Sequence, residues 1–255
     1  MPSARYFAAG AMWNGRIYIL GGSDSNHHVT SSVVSYDVGT DTWNSTLPAL
    51  PTARYGAASA AVNGWVYSIG GFDDEAYMFD LLRLDIASLT TPWTQLARLT
   101  TCRAFASCAV YSDKIYVFGG CMESSVLETV ECYDPLSDSW TMLSPMPQKI
   151  RHSTSAVLGN YIYVIGGDDG VNCLNTSYRY DPVSDTWSKV ASLAYARSET
   201  ASMAYNKRIY VFGGKNKQEW LNSVEMYDDI TNSWTTLSSL PNNISSCVLA
   251  CFEAP

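Results

Sequence analysis

Five arginines recur at one place in this 255-residue chain. Arg5, Arg54, Arg103, Arg151 and Arg197 each stand fifteen or sixteen residues before a Gly-Gly doublet. A guanidinium is planar, permanently charged and carries its donors in a fork, so a set of them could hold carboxylates or phosphates in two-point contacts. Each could instead satisfy the carbonyls of a neighbouring repeat, and the sequence leaves both readings open. The residue just after each doublet changes type from copy to copy: Ser23, Phe72, Cys121, Asp168 and Lys215. These residues open loops whose content varies from copy to copy, and diverse loops on a rigid repeating scaffold are where function usually resides. Trp220 lies in a polar stretch where another copy has Cys173, outside the repeated aromatic pattern. Such an aromatic can anchor an interface or tuck against its own repeat.

Catalytic material is sparse. The chain has three histidines, two of them adjacent (His27-His28), so a Ser–His or Cys–His pair has little to draw on. There is no Gly-x-Ser-x-Gly elbow, no His-Glu-x-x-His and no phosphate-cradling glycine loop. His27-His28 has no further metal ligands beside it, and no cofactor or metal is expected. Seven cysteines, an odd number without a Cys-x-x-Cys pair, read as reduced thiols of a cytoplasmic protein. Three Asn-x-Ser/Thr sequons, at Asn44, Asn175 and Asn243, are taken as chance in a chain rich in Ser and Thr. A net charge of −8 repels phosphate backbones, which argues against nucleic acid as a partner. No apolar run approaches the length of a membrane span.

The elements that must position these residues repeat with them. The doublets fall at 21–22, 70–71, 119–120, 166–167 and 213–214, at intervals of 49, 49, 47 and 47 residues. Each ends an alternating run such as Lys114-Ile-Tyr-Val-Phe118. About twenty residues later comes a tryptophan: Trp43, Trp93, Trp140, Trp187 and Trp234. Tyr-Asp precedes four of these by seven residues, whereas the second copy has Leu84-Asp85 and two extra residues before Trp93. In the fourth copy the spacing predicts strand A over 154–158, B over 161–165, C over 177–180 and D around Trp187. Asn-Gly and Gly-Asn pairs suit the A–B hairpins, and Asp-Pro-x-Ser-Asp suits the C–D turns. Four antiparallel strands per copy make a propeller blade. The fold expected is all-β, one domain over 1–255 with five four-stranded blades, in repeats of about 2–50, 51–99, 100–147, 148–193 and 194–240.

The order Pro-x-x-Arg, β run, Gly-Gly, Tyr-Asp, Trp resembles the Kelch repeat over residues 2–241, and the wording around Tyr-Asp-Pro-x-Ser-Asp is most similar to the propellers of BTB–Kelch proteins. That resemblance implies a protein-binding module, the substrate-recognising part of a cullin-RING ubiquitin ligase reached through a BTB domain that this sequence does not contain. A cytoskeletal, actin-type scaffold is the alternative, and a sugar mutarotase-like enzyme a more distant one. In BTB–Kelch propellers the D–A arginines and the residues after Gly-Gly contact partner peptides. Carried over, these are Arg5, Arg54, Arg103, Arg151 and Arg197 with Ser23, Phe72, Cys121, Asp168 and Lys215; Trp220 joins them from its own position.

Strand alternation puts the A–B and C–D turns on one face and the B–C and D–A loops on the other, so the five arginines are expected to converge with the diverse loops. Closure is less regular. Residues 241–255 read as a candidate ring-closing strand, yet 4–13 already form strand A of the first blade. Met1-Pro2 matches the repeat-ending Met146-Pro147, so a longer parent with a sixth blade is the alternative expectation.

Overall fold

The computed structural model describes residues 1–88 and 90–246. It contains five four-stranded antiparallel sheets, each in the order A-B-C-D. Blade 1 has strands Ala9–Trp13, Arg16–Leu20, Val33–Asp37 and Thr42–Asn44; blade 2 has Ala58–Val62, Trp65–Ile69, Leu81–Asp85 and Thr94–Gln95. Blade 3 has Ser107–Tyr111, Lys114–Phe118, Val130–Asp134 and Ser139–Leu143; blade 4 has Thr154–Leu158, Tyr161–Ile165, Ser177–Asp181 and Thr186–Lys189. Blade 5 has Ala201–Tyr205, Arg208–Phe212, Val224–Asp228 and Ser233–Leu237. The irregular second copy keeps its blade. Leu84 takes the buried place of the tyrosine, and strand D shrinks to Thr94–Gln95.

Strand A opens with small residues, such as Ala9-Gly-Ala11 and Ser107-Cys-Ala109, where the innermost strands crowd around the central channel. Their side chains join blade to blade there. Cys108 donates to the Ser59 carbonyl (2.9 Å), Ser155 to that of Cys108 (2.7 Å) and Ser202 to that of Ser155 (3.3 Å). Strand B is covered on both sides, so it alternates between two apolar seams rather than between core and water. In blade 3, Ile115 and Val117 pack towards blade 2, with Tyr67 and Ile69 opposite them. Tyr116 and Phe118 pack towards blade 4, against Ile162 and Val164. Equivalent seams join blades 1 and 2 and blades 4 and 5.

A polar latch on the outer strands repeats at these seams. The tryptophan indole donates to a carbonyl in the segment leaving the preceding blade: Trp93 to Pro48 (2.9 Å), Trp140 to Ala97 (2.9 Å), Trp187 to Ser144 (3.0 Å) and Trp234 to Ala191 (2.9 Å). In blades 3, 4 and 5 the residue ending the C–D turn (Asp138, Asp185 or Asn232) accepts the N–H of the same residue, Ala97, Ser144 or Ala191. The strand C tyrosine holds that side chain in place, as Tyr180 does Asp185 at 2.7 Å. The strand C tyrosine and the Asp-x-Trp wording of the repeat therefore serve as inter-blade cement.

The doublet explains the remaining repeated feature. The N–H of the second glycine donates to a carbonyl in the loop that begins the next blade: Gly22 to Arg54, Gly71 to Arg103, Gly120 to Ile150, Gly167 to Arg197 and Gly214 to Ile244. Gly166 has φ +62°, and a Cβ there would meet the Arg197 carbonyl oxygen at 2.6 Å. Gly159, in the A–B turn, also has positive φ (+60°) but faces open space. Gly159→Ala is expected to cost about 1 kcal/mol, the conformational term alone. Gly166→Ala, which must also displace backbone, is expected to cost at least about twice that. Equal losses in urea denaturation would show that the close approach contributes nothing.

Candidate functional site

Isolated bridges pair the D–A and B–C loops on one face, Tyr6 with Ser23, Tyr55 with Phe72, Arg151 with Asp168 and Ser198 with Lys215. The loops expected to share a face do so. Most of the arginines, however, do not line it. Arg54, Arg103 and Arg197 are among the most buried side chains of the chain, at 1%, 1% and 0% exposure. Their Nη1 atoms donate to the carbonyl of the first doublet glycine of their own blade, sixteen residues on: Gly70 (3.0 Å), Gly119 (2.8 Å) and Gly213 (2.9 Å). Arg5, half-buried, makes the same contact with Gly21 (3.0 Å). Arg54 is gripped at two points by Asp80 (2.6 and 2.8 Å), Arg103 by Glu131 (2.5 Å) and Arg197 by Glu225 (2.6 Å). Burial lowers the pKa of Arg103 and of Arg197, and their glutamates oppose that shift. The expectation of a guanidinium ring open to a partner is corrected for these residues. They fasten strand B to strand C where the chain crosses over.

Arg151 is the exception, and the spacing says why. It stands fifteen rather than sixteen residues before the doublet, so Ile150, fully buried, occupies the arginine place of blade 4. Arg151 shifts onto the face, where its Nε donates to Asp168 at 2.8 Å. His152 Nδ1 lies 2.8 Å from the other oxygen of the same carboxylate. Burial works against the charge of Asp168, but the His152 and Arg151 contacts outweigh it and hold the carboxyl at about 2.

The face is built as concentric positions. Innermost are Phe7, Gly56, Phe105, His152, Glu199 and Ser246, all with positive φ between 51° and 61°. Each after the first donates its N–H to the carbonyl of the one before, at 2.7–3.0 Å. They rim the mouth of the central channel, a cavity of about 280 Å³ whose walls are mostly Ala, Ser and Thr. Next outward lie Tyr6, Tyr55, Ala104, Arg151 and Ser198. Beyond them come the residues after the doublets, then Val29, Tyr77, Val126, Cys173 and Trp220.

The two halves of this face differ in chemistry. Blades 1 to 3 carry a continuous aromatic path: Phe7 to Phe105 (5.3 Å between centroids), Phe105 to Tyr55 (5.8 Å), Tyr55 to Phe72 (5.7 Å) and Phe72 to Tyr77 (4.6 Å). Burial, with Asp74 alongside, pushes the Tyr55 phenol up to about 12. Blades 4 and 5 carry Arg151, Asp168, Glu199 and Lys215, the last two ion-paired. His152 joins the halves, its ring 4.5 Å from that of Phe105. Trp220 stands 64% exposed at the rim of blade 5. Ser23 and Cys121 are buried beneath the surface, so neither offers its side chain to a partner. With the deep arginines neutralised internally, the B–C loops set the sign of the face. Asp24, Asp73, Asp74, Glu75, Glu123, Asp168, Asp169 and Glu219 outnumber Lys215 and Lys217.

Tyr6, Phe7, Tyr55, Phe105, His152 and Glu199 were not among the residues expected here. Their signal is positional: they follow the arginine place by one or two residues, and that pair of positions changes chemistry in every copy.

A set of four-stranded blades around a channel, with irregular loops gathered on one face, is a β-propeller. Its blades are Kelch repeats. The Kelch motif matches residues 4–46 and 196–241, and the KLHDC2/KLHL20/DRC7 Kelch-repeats domain matches 91–196. Among solved structures the chain is similar to YjhT, with a TM-score of 0.83 at 16% identity over 96% of this chain and 87% of that one. No curated protein matches the chain in sequence.

Two outcomes follow from the charge pairs. Arg103→Ala leaves Glu131 buried without its cation, and is expected to lower the unfolding free energy by about 3–5 kcal/mol. Adding Glu131→Gln should recover part of that loss in a double-mutant cycle by denaturant titration; a loss under 1 kcal/mol would contradict the fastening role. Asp168 has a folded pKa below its unfolded value, so its stabilisation is full above about pH 4 and lost as pH falls through about 2. Asp168→Asn should therefore cost about 1–2 kcal/mol at pH 7, with the gap to wild type closing between pH 4 and pH 2. A gap constant over that range would exclude the paired carboxylate.

Proposed function

We propose that the chain is a recognition module that binds a protein or peptide on the B–C and D–A loop face, without catalysis. The aromatic path leading to the channel mouth carries this reading. Apolar rings held on a rigid scaffold supply contact area at small entropic cost, and Trp220 across the mouth offers a second anchor. The acidic loops favour a partner segment that combines apolar or aromatic side chains with Lys or Arg. The carboxylate-bearing partner that an open ring of arginines would have selected is correspondingly disfavoured. By resemblance to BTB–Kelch propellers, the role inferred is substrate recognition for a cullin-RING ubiquitin ligase. Five unpaired thiols among the described cysteines fit a cytosolic setting. No helix of the described residues is long and apolar enough to cross a membrane.

One observation favours a second reading. His152 and Asp168 form a histidine–carboxylate pair at the mouth of a polar channel, the material from which acid–base catalysis on a small sugar could be built. NMR measurement of anomer exchange with free sugars separates the readings, since acceleration abolished by His152→Ala would make the chain an enzyme.

The binding reading is tested by selecting ligands from a random-peptide display library on the folded chain. Enriched peptides are expected to carry aromatic or aliphatic anchors beside basic residues, and to lose about tenfold in affinity with Trp220→Ala or Phe72→Ala. Leu136→Ala, at an exposed C–D turn on the opposite face, should change nothing. Peptides retained by both face variants and lost with Leu136→Ala would move the site to the other face. For the adaptor role, a partner found this way should persist longer in cells when Trp220→Ala replaces the wild type.

A further inference from the structure

The inner rim of the loop face carries three rings, and they converge. Phe7 and His152 are three places apart around the rim, with Gly56 and Phe105 between them, yet their ring centroids lie 6.0 Å apart. Phe105 completes the triangle, 5.3 Å from Phe7 in an edge-to-face contact and 4.5 Å from His152. All three spacings suit the attraction between aromatic rings. Side chains from blades 1, 3 and 4 therefore meet over the channel mouth. Each of the three residues has positive φ, a costly conformation for a bulky side chain that persists only where the surroundings dictate it.

One missing side chain makes room for this. A Cβ at Gly56 would stand 2.6 Å from Phe105 Cε1 and 2.7 Å from Cδ1, so the ring lies in the space that a side chain of blade 2 would take. His152 is held from outside, its Nδ1 2.8 Å from the Asp168 carboxylate that Arg151 also grips. On the side of the mouth that the rings leave open, the Glu199 carboxylate accepts from the Ser246 hydroxyl at 2.7 Å and pairs with Lys215. Ser246 belongs to the candidate ring-closing segment 241–255, of which 247–255 lie outside the described residues. Beneath the rings the channel wall satisfies its own polar groups. Ser107 meets Ser153 (3.0 Å), Thr154 meets Ser202 (2.7 Å), and Ser155 and Cys108 donate to carbonyls of the neighbouring blade. Hydroxyls engaged in this way do not converge on a ligand.

We propose that Phe7, Phe105 and His152 form a plug that decides what enters the channel, passing solvent-sized molecules and excluding anything as wide as an aromatic or sugar ring. Closure depends most on Phe105, which touches both other rings and whose seat is the absent side chain of Gly56. With the plug in place, a sugar or a partner's side chain stays outside, against the rings and the His152–Asp168 pair. The channel beneath then takes no part in choosing a ligand.

Cys108 reports on entry, since it lines the cavity below the rings. Burial pushes its thiol up to about 12, which slows every thiol reagent alike, so the measurement compares two reagents of the same chemistry and different width. Methyl methanethiosulfonate and benzyl methanethiosulfonate are applied to the folded chain, and labelling of each cysteine is followed by peptide mass spectrometry. In the wild type the methyl reagent is expected to reach Cys108, and the benzyl reagent to leave it unlabelled over the same time. Phe105→Ala should speed benzyl labelling of Cys108 about tenfold or more while changing methyl labelling little. Gly56→Ala, which must push the Phe105 ring off its seat, should act in the same direction. Cys132, sealed in the seam between blades 3 and 4 at 7% exposure, should stay unlabelled throughout. Benzyl labelling of wild-type Cys108 as fast as methyl labelling would overturn the proposal, and so would a Phe105→Ala chain that excludes the benzyl reagent as the wild type does. Labelling of Cys132 in step with Cys108 would assign the entry to unfolding and overturn it too.

Discussion

The hydrogen bond from the second doublet glycine to the carbonyl at the arginine place of the next blade is the constraint on which the rest depends. It pins the loop entering one blade to the strand leaving the previous one, and so fixes how far the chain turns from blade to blade. With that carbonyl held, the residue two positions on is forced into the left-handed region, where it bonds to its counterpart in the blade before. The channel mouth is the consequence. Five such bonds run from Phe7 to Ser246, and the side chains around them are presented by a backbone that has no freedom left to vary.

Because the backbone is fixed, side chains at these positions can change without cost to the fold, and they do. Phe, Gly, Phe, His, Glu and Ser occupy one geometric place. The arginines show the opposite behaviour: where the guanidinium is deepest it is matched inside its own blade. Arg103 and Arg197 have Glu131 and Glu225 twenty-eight residues on. Arg54 has Leu82 at that spacing and takes Asp80 instead. Blade 4 has neither cation nor acid, with Ile150 and Tyr178 in the two places. A buried charge without a partner is too costly to keep, so the two positions change together.

This explains what the sequence could and could not disclose. Strands A and B of the fourth copy lie where hairpin chemistry and alternation put them, at Thr154–Leu158 and Tyr161–Ile165, because local pattern and tertiary demand agree. The destination of the arginines was not legible from their recurrence alone. A repeated cation has the same signature whether it faces a partner or a carbonyl sixteen residues away. Two cues were present: the recurrence of Glu at twenty-eight residues, and the single residue that separates Arg151 from the others. The aromatic path was hidden for a different reason. Its members come from three blades and share only a place in the repeat, so no stretch of chain contains them together.

The sign of the recognition face follows from the same internal matching. A ring of free guanidinium groups would have made the mouth strongly positive. Each buried cation that is paired within its blade removes that charge from the surface and leaves the loops to set the potential. In the B–C loops carboxylates prevail, most densely at Asp73, Asp74 and Glu75 beside Phe72 and Tyr77. A partner approaching this side meets apolar rings bordered by negative charge, and a cation there gains from both the ring faces and the carboxylates. The deep arginines therefore act through the fold, and the preference for basic partners proposed for this face rests on the carboxylates that remain at its surface.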